Sequence, residues 1–210
     1  MLLENNLDNT IRELLKVLDR QVYNNTYFGI RTLKFPFDFW VYQEMIYELR
    51  PDVIVELGTY RGGSALALSH ILEKIGKGRI ITLDINHNEV PMIVRNDPRI
   101  TLIQGDAVQS FPDVQKLIAD GEKVLVIEDS SHTYENTLAV LRTYNSLIRI
   151  GSYFIVEDAI CHHGIEDGPN PGPYEAIDTF LSENKNFVAD RTKERMVLSW
   201  NLHGFLKRVS

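Results

Sequence analysis

Two short stretches concentrate the residues best suited to chemistry: IEDSSH at 127–132 and VEDAICHH at 156–163. Each ends an apolar run with acids, and together they offer Asp129, Glu157 and Asp158. Carboxylates that converge without a basic partner repel, and a hard divalent cation with oxygen ligands removes that cost. Mg²⁺ suits such a set, and Mn²⁺ or Ca²⁺ would accept it too. The competing reading leaves Glu128 and Glu157 solvated, or paired with Arg142 or Arg149. His132 follows Asp129 closely, where a histidine beside a bound metal could take a proton from a substrate hydroxyl near neutral pH. Capping a helix is the commoner role for a lone histidine. Cys161, His162 and His163 raise the question of zinc, but three consecutive residues cannot easily aim their side chains at one ion.

A second constellation is VELGTYRGGS at 55–64, with Glu56, Gly58, Gly62, Gly63 and Ser64 between an apolar run and a helical pattern. A dinucleotide turn would read G-x-G-x-x-G and seat a pyrophosphate on a helix N-terminus. Here the third glycine comes late, no lysine precedes Ser64 as a phosphate loop requires, and Glu56 would repel a phosphate. A guest that carries positive charge and no phosphate fits better, and S-adenosylmethionine meets both conditions. Asp84, ending the next apolar run, is placed to accept ribose hydroxyls, as an acid does at this point in dinucleotide folds. Gly105 and Asp106 could admit the adenine and meet its amino group, and the glycines would let the main chain approach the ligand. The plain alternative for the turn is a tight strand-to-helix connection.

Elements must exist to position these groups. Strands are predicted at 53–57, 79–84, 100–106, 123–129 and 152–158, with helices near 63–75, 88–95, 111–120 and 134–148. That alternation predicts an α/β fold: a mostly parallel central sheet with helices on both faces. Four of the five strands end in an acid. Open parallel sheets bind ligands beyond the carboxyl ends of their strands, so those acids would share one crevice. GIEDGPNPGPY at 164–174 reads as a surface loop, EAIDTFLSEN as a helix, and the last stretch as an antiparallel hairpin closing the sheet. Leu3, Leu7, Ile11, Leu14, Leu15 and Leu18 repeat with helical spacing, and a second helix at 38–49 stops at Pro51. Residues 1–50 are thus expected to form a helical cap, and 51–210 a single ligand-binding unit.

Composition narrows the functional class. The chain has 210 residues, 44% hydrophobic and 24% charged, with a formal charge of −7, enough for one sizeable core. The acidic balance argues against nucleic acid or anionic membrane as partners and favours a small-molecule acceptor. One cysteine excludes an internal disulfide, and a charged start without a long apolar run is read as cytoplasmic. Tyr23, Tyr27 and Phe28 leave room for a homo-oligomer surface.

Four separated blocks, VELGTYRGGS, the D-S-S-H of 129–132, GSYFIVED at 151–158, and GPNPGPYEAI with F-V-A-D-R at 187–191, resemble the cephalosporin hydroxylase family of methyltransferase-fold proteins over roughly residues 35–208. The chain is more distantly similar to macrolide sugar O-methyltransferases and rhamnosyl O-methyltransferases. The resemblance implies a Rossmann-like methyltransferase fold. It also implies Mg²⁺ on Asp129, Glu157 and Asp158, His132 as base, and S-adenosylmethionine against Glu56, Gly58, Asp84 and Asp106. The expected reaction is O-methylation of a sugar or glycosylated natural product. A silent S-adenosylmethionine-binding subunit and a nicotinamide oxidoreductase are the alternatives. Iron oxygenase chemistry would need two histidines and one carboxylate rather than three carboxylates.

Overall fold

The computed structural model describes residues 8–210. Leu3 and Leu7 lie outside them, and the rest of the N-terminal apolar series falls in α1 (Ile11–Val22). Thr10 and Glu13 close its first turn reciprocally: the Thr10 amide donates to Glu13 Oε2 at 2.7 Å, and the Glu13 amide donates to Thr10 Oγ1 at 3.3 Å. A small ribbon follows, β1 (Thr26–Tyr27) and β2 (Ile30–Arg31), and then α2 (Pro36–Leu49). The helix starts two residues before the expected 38, because Pro36 lacks only an amide that a first turn leaves unpaired anyway. Arg50, at φ 47°, ends it just before Pro51.

The remaining chain alternates strand and helix: β3 (Val53–Leu57), α3 (Gly63–Ile75), β4 (Arg79–Asp84), α4 (Met92–Arg95), β5 (Ile100–Gln104), α5 (Phe111–Lys116), β6 (Val124–Glu128), α6 (Tyr134–Tyr144), β7 (Tyr153–Val156), α7 (Pro173–Glu183), β8 (Phe187–Ala189) and β9 (Phe205–Arg208). Strands order as β5-β4-β3-β6-β7-β9-β8. The first five pair in parallel, and β9 runs antiparallel to both β7 and β8. The expected antiparallel pair at the C-terminus is therefore present. It is not a tight hairpin, because 190–204 makes a long excursion before β9 enters between β7 and β8. Three helices are shorter than their patterns predicted, among them α6, which gives way to a 3-10 turn at Asn145–Leu147. Pro91 caps α4, so the helix cannot reach back to 88, and α5 gives way at Leu117 ahead of the Asp120-Gly121 turn.

Period-two alternation divides the sheet's residues between two cores. Val53, Val55, Leu57, Val124, Val126, Phe154 and Val156 face α6 and α7, while Ile54, Ile80, Leu125, Ile127 and Ile155 face α2 and α3. Each such side chain contributes about 1.5–3 kcal/mol on burial. A third cluster fastens the N-terminus: Leu15 and Val22 of α1 pack with Phe35, Ile160, Ile165 and Trp200, and Phe35 stacks on Trp200 at 4.0 Å between centroids.

Chain order fixes where a ligand can enter. From β3 the chain crosses to β4 on one side, and from β5 it returns to β6 on the other, so a crevice opens at the carboxyl ends of β3 and β6. Gly58 sits at that point with φ 107°, and a Cβ there would overlap the carbonyl oxygen of Asp129. Gly58→Ala is therefore expected to lower unfolding free energy in urea by ~3 kcal/mol or more. Gly76→Ala, at φ 77° with open space around it, should cost only ~1 kcal/mol. Equal losses in the two variants would show that the strand ends do not need this close approach.

Candidate active site

The crevice holds a cavity of about 540 Å³, a size typical of small-molecule sites. The glycine turn, Asp84 and Asp106 form one end of its lining, and Lys34, Asp129, His132 and Asp158 the other. Asp84 Oδ2 accepts the Tyr60 amide at 2.8 Å, and Oδ1 accepts a longer bond from Asn86 at 3.4 Å, which leaves lone pairs free toward the cavity. Asp106 Oδ1 accepts the Gln109 amide at 2.9 Å. Gly105, at φ 155°, packs where a Cβ would strike Ser110 Oγ.

The glycine turn is built differently from the sequence reading. Glu56 lies beneath it, fully buried, rather than in the cavity wall. Ser64 Oγ donates to Glu56 Oε1, and Thr82 Oγ1 donates to Oε2 at 2.7 Å. Burial pushes its pKa up, partly opposed by Lys34 and these two hydroxyls. Glu56 thus anchors the turn to β4. Gly62, the N-cap of α3 at φ 77°, abuts Val94, and Gly63 abuts Thr32. The missing Cβ atoms at Gly58, Gly62 and Gly63 make room for neighbouring protein, and Gly58 and Gly63 also line the cavity.

At the other end, Asp129, His132 and Asp158 each bring one ligand atom within 4.8 Å of the others. His132 Nε2 lies 3.3 Å from Asp158 Oδ2 and 3.7 Å from Asp129 Oδ1. Both His132 and Asp158 hold left-handed backbone, at φ 55° and 53°. Glu157 turns elsewhere: its Oε1 accepts from Lys34 Nζ at 2.5 Å and from the Tyr42 hydroxyl at 2.9 Å. Lys34 Nζ also donates to Asp129 Oδ2. The acids therefore do have a basic partner, which the sequence reading missed; Arg142 instead pairs with Glu183. The available signal was a lone lysine among apolar neighbours in TLKFPF, since a lysine in such a run is buried only when an acid meets it.

Burial raises the pKa of Glu157, and Asp129 adds to the rise; burial also raises Asp158, with His132 opposing. Burial would lower the Lys34 amine, but Asp129, Glu157 and Glu56 outweigh it and hold the lysine charged. Glu128 is pushed up to about 7 by burial, and its Oε2 has no hydrogen-bond partner. The cluster thus carries more negative charge than its burial favours even with Lys34 present, and a divalent cation suits that deficit.

A polar chain continues behind the acids. Asn201 Nδ2 donates to the Tyr42 hydroxyl at 2.7 Å, the Asn201 amide donates to Ser199 Oγ at 3.0 Å, and Ser199 Oγ donates to Asp38 Oδ1 at 2.7 Å. The Trp200 amide donates to Asp38 Oδ2 at 2.7 Å.

This sheet order, with its crevice at the carboxyl ends of β3 and β6, is the Rossmann-like fold of S-adenosylmethionine-dependent methyltransferases. The chain belongs to the rhamnosyl O-methyltransferase/CmcI family, whose model matches residues 19–209. It is 32% identical to the rhamnosyl O-methyltransferase of Mycobacterium tuberculosis (strain ATCC 25618 / H37Rv) over 190 residues, covering 87% of this chain and 78% of that protein. The rhamnosyl O-methyltransferase of Mycobacterium leprae (strain TN) is likewise 32% identical, over 89% of this chain and 85% of its own length. Among solved structures, the Mg-SAM form of CmcI superposes with a TM-score of 0.73 at 27% identity, covering 90% of this chain and 78% of that one.

Asp38 gives the site's rear wall a measurable pH signature. Burial raises its pKa from the ordinary 3.8 to about 6, against the two donors that favour its charged form. A raised carboxyl contributes stability that is complete below pH 3.8 and lost as pH climbs through about 6. Wild type should therefore lose ~2 kcal/mol more than Asp38→Asn between pH 4 and pH 7. Parallel stability–pH curves from chemical denaturation would rule out Asp38 as the source.

Proposed function

We propose that this protein is an S-adenosylmethionine-dependent O-methyltransferase that acts on a sugar hydroxyl with a divalent cation, Mg²⁺, at its acidic cluster. The convergence of Asp129, His132 and Asp158 in the same cavity as Asp84 and Asp106 carries this reading. Membership of a family named for rhamnosyl O-methyltransfer, and likeness to CmcI in its Mg-SAM form, support it. A glycosylated natural product is the acceptor class we favour.

When bound, S-adenosylmethionine supplies an electrophilic methyl group, and the cation supplies positive charge that stabilises an ionising hydroxyl. The protein's own residues do the rest. Asp84 is the acceptor for the ribose hydroxyls, through lone pairs that Tyr60 and Asn86 leave unused. Asp106 keeps Oδ2 for the adenine amine while Oδ1 caps the turn. Asp129, Glu157 and Asp158 are the residues that would hold the cation. His132 takes the proton from the acceptor hydroxyl, and Asp158, 3.3 Å from Nε2, stabilises the imidazolium that forms. Lys34, Tyr42 and Asn201 fix the floor on which the acids stand.

His132→Ala should lower methyl transfer to a rhamnosyl glycoside by ~10²–10⁴ while leaving S-adenosylmethionine affinity unchanged by calorimetry. Turnover at the wild-type rate would remove His132 from proton transfer. Asp84→Ala should weaken S-adenosylmethionine binding by ~10- to 100-fold, with NAD giving no binding heat in either protein. Excess chelator should abolish transfer and added Mg²⁺ restore it; full activity in chelator would dismiss the cation.

A further inference from the structure

The Lys34 side chain is 7% exposed, yet it carries a charge among groups that have left water. Burying an ammonium costs several kcal/mol unless it is closely paired, and Lys34 is paired with Asp129 and Glu157. It arrives from the connection between β2 and α2, far in sequence from either acid. Its backbone is held there by packing: Phe35 stacks on Trp200, and Asn25 Nδ2 donates to the Lys34 carbonyl at 3.0 Å. Lys34 is also one of the residues that line the open cavity.

The oxygens it occupies belong to two of the three acids read above as holding a cation. Asp129 is divided: Oδ2 faces Lys34, while Oδ1 lies on the side of His132. Glu157 gives Lys34 the oxygen that also receives Tyr42. We infer that Lys34 is an internal counter-ion occupying the divalent cation's place on Asp129 and Glu157, so that cation binding requires its ammonium to leave. The inference rests on the reading of this cluster as a cation site and adds what competes for it. Lys34 is then a positioning residue. It keeps Asp129 and Glu157 together without metal, and it weakens metal binding by the cost of its own displacement.

The chemistry at stake is also a choice of donors. With Lys34 in place, the free ligand atoms are two carboxylate oxygens and an imidazole nitrogen, a set open to softer ions such as Zn²⁺. With Lys34 gone, Glu157 joins as a third carboxylate and the set suits a hard ion, leaving the imidazole for proton transfer.

Two measurements on the full chain test this. Lys34→Met, titrated with Mn²⁺ by electron paramagnetic resonance, should bind at least ~10-fold more tightly than wild type, because affinity follows the net charge of the ligand set. In chelator it should also melt at a lower temperature than wild type, with the gap closing as Mg²⁺ is added. An affinity equal to or weaker than wild type overturns the inference. The second measurement needs no variant: acylation of Lys34 in wild type, followed by peptide mass mapping, should be slow in chelator and speed up several-fold in saturating Mg²⁺. A rate indifferent to the cation overturns it, even if the methionine variant fails to fold. Wild type that binds no Mn²⁺ at all defeats the cation reading itself. Binding without any Lys34 effect defeats only the inference.

Discussion

Lys34 ties three distant parts of the chain to one point: the segment before α2, the end of β6 through Asp129, and the end of β7 through Glu157. The rest of the site is arranged around that contact. Removing the amine would leave uncompensated carboxylates in a medium that disfavours them, and removing the acids would strand an ammonium in the core. The contact therefore adds a charged tie between the helical N-terminal segment and the sheet to the apolar packing of α2 on the sheet. The polar line from Glu157 through Tyr42, Asn201 and Ser199 to Asp38 extends the same dependence across the rear of the crevice.

A second constraint is the density of buried acids below the crevice. Glu56, Glu128, Glu157 and Asp38 all have their carboxyl groups pushed up by burial. A chain of net charge −7 could place these acids at the surface, where water would carry the charge. Here their partners are hydroxyls, amides and one lysine, each oriented by the backbone.

What was legible in the sequence follows from which interactions are local. Strand and helix alternation depends on short-range periodicity, so the five parallel strands and α3 fall close to their expected limits. The acids at strand ends were readable for the same reason. The pairing of Glu157 with Lys34 was not, because 123 residues separate them and it depends on how the N-terminal segment crosses the sheet. The glycines illustrate a subtler limit. Composition showed that a Cβ was unwelcome at 58, 62 and 63, but only the packing shows that Asp129, Val94 and Thr32 are the atoms in the way. Likewise, an antiparallel C-terminal pair is visible as two apolar runs, whereas the insertion of β9 between β7 and β8 is a tertiary choice.

Tyr60, His132 and Asp158 all rim the cavity in left-handed backbone, at φ 49°, 55° and 53°. Side chains there carry a conformational burden that glycine escapes and asparagine tolerates more readily. Selection for heat resistance alone would thus be drawn toward glycine or asparagine at these positions, exchanging reactive groups for a more relaxed main chain. Directed evolution of this scaffold would have to screen for turnover and thermal tolerance together, since its rim is where the two demands pull apart.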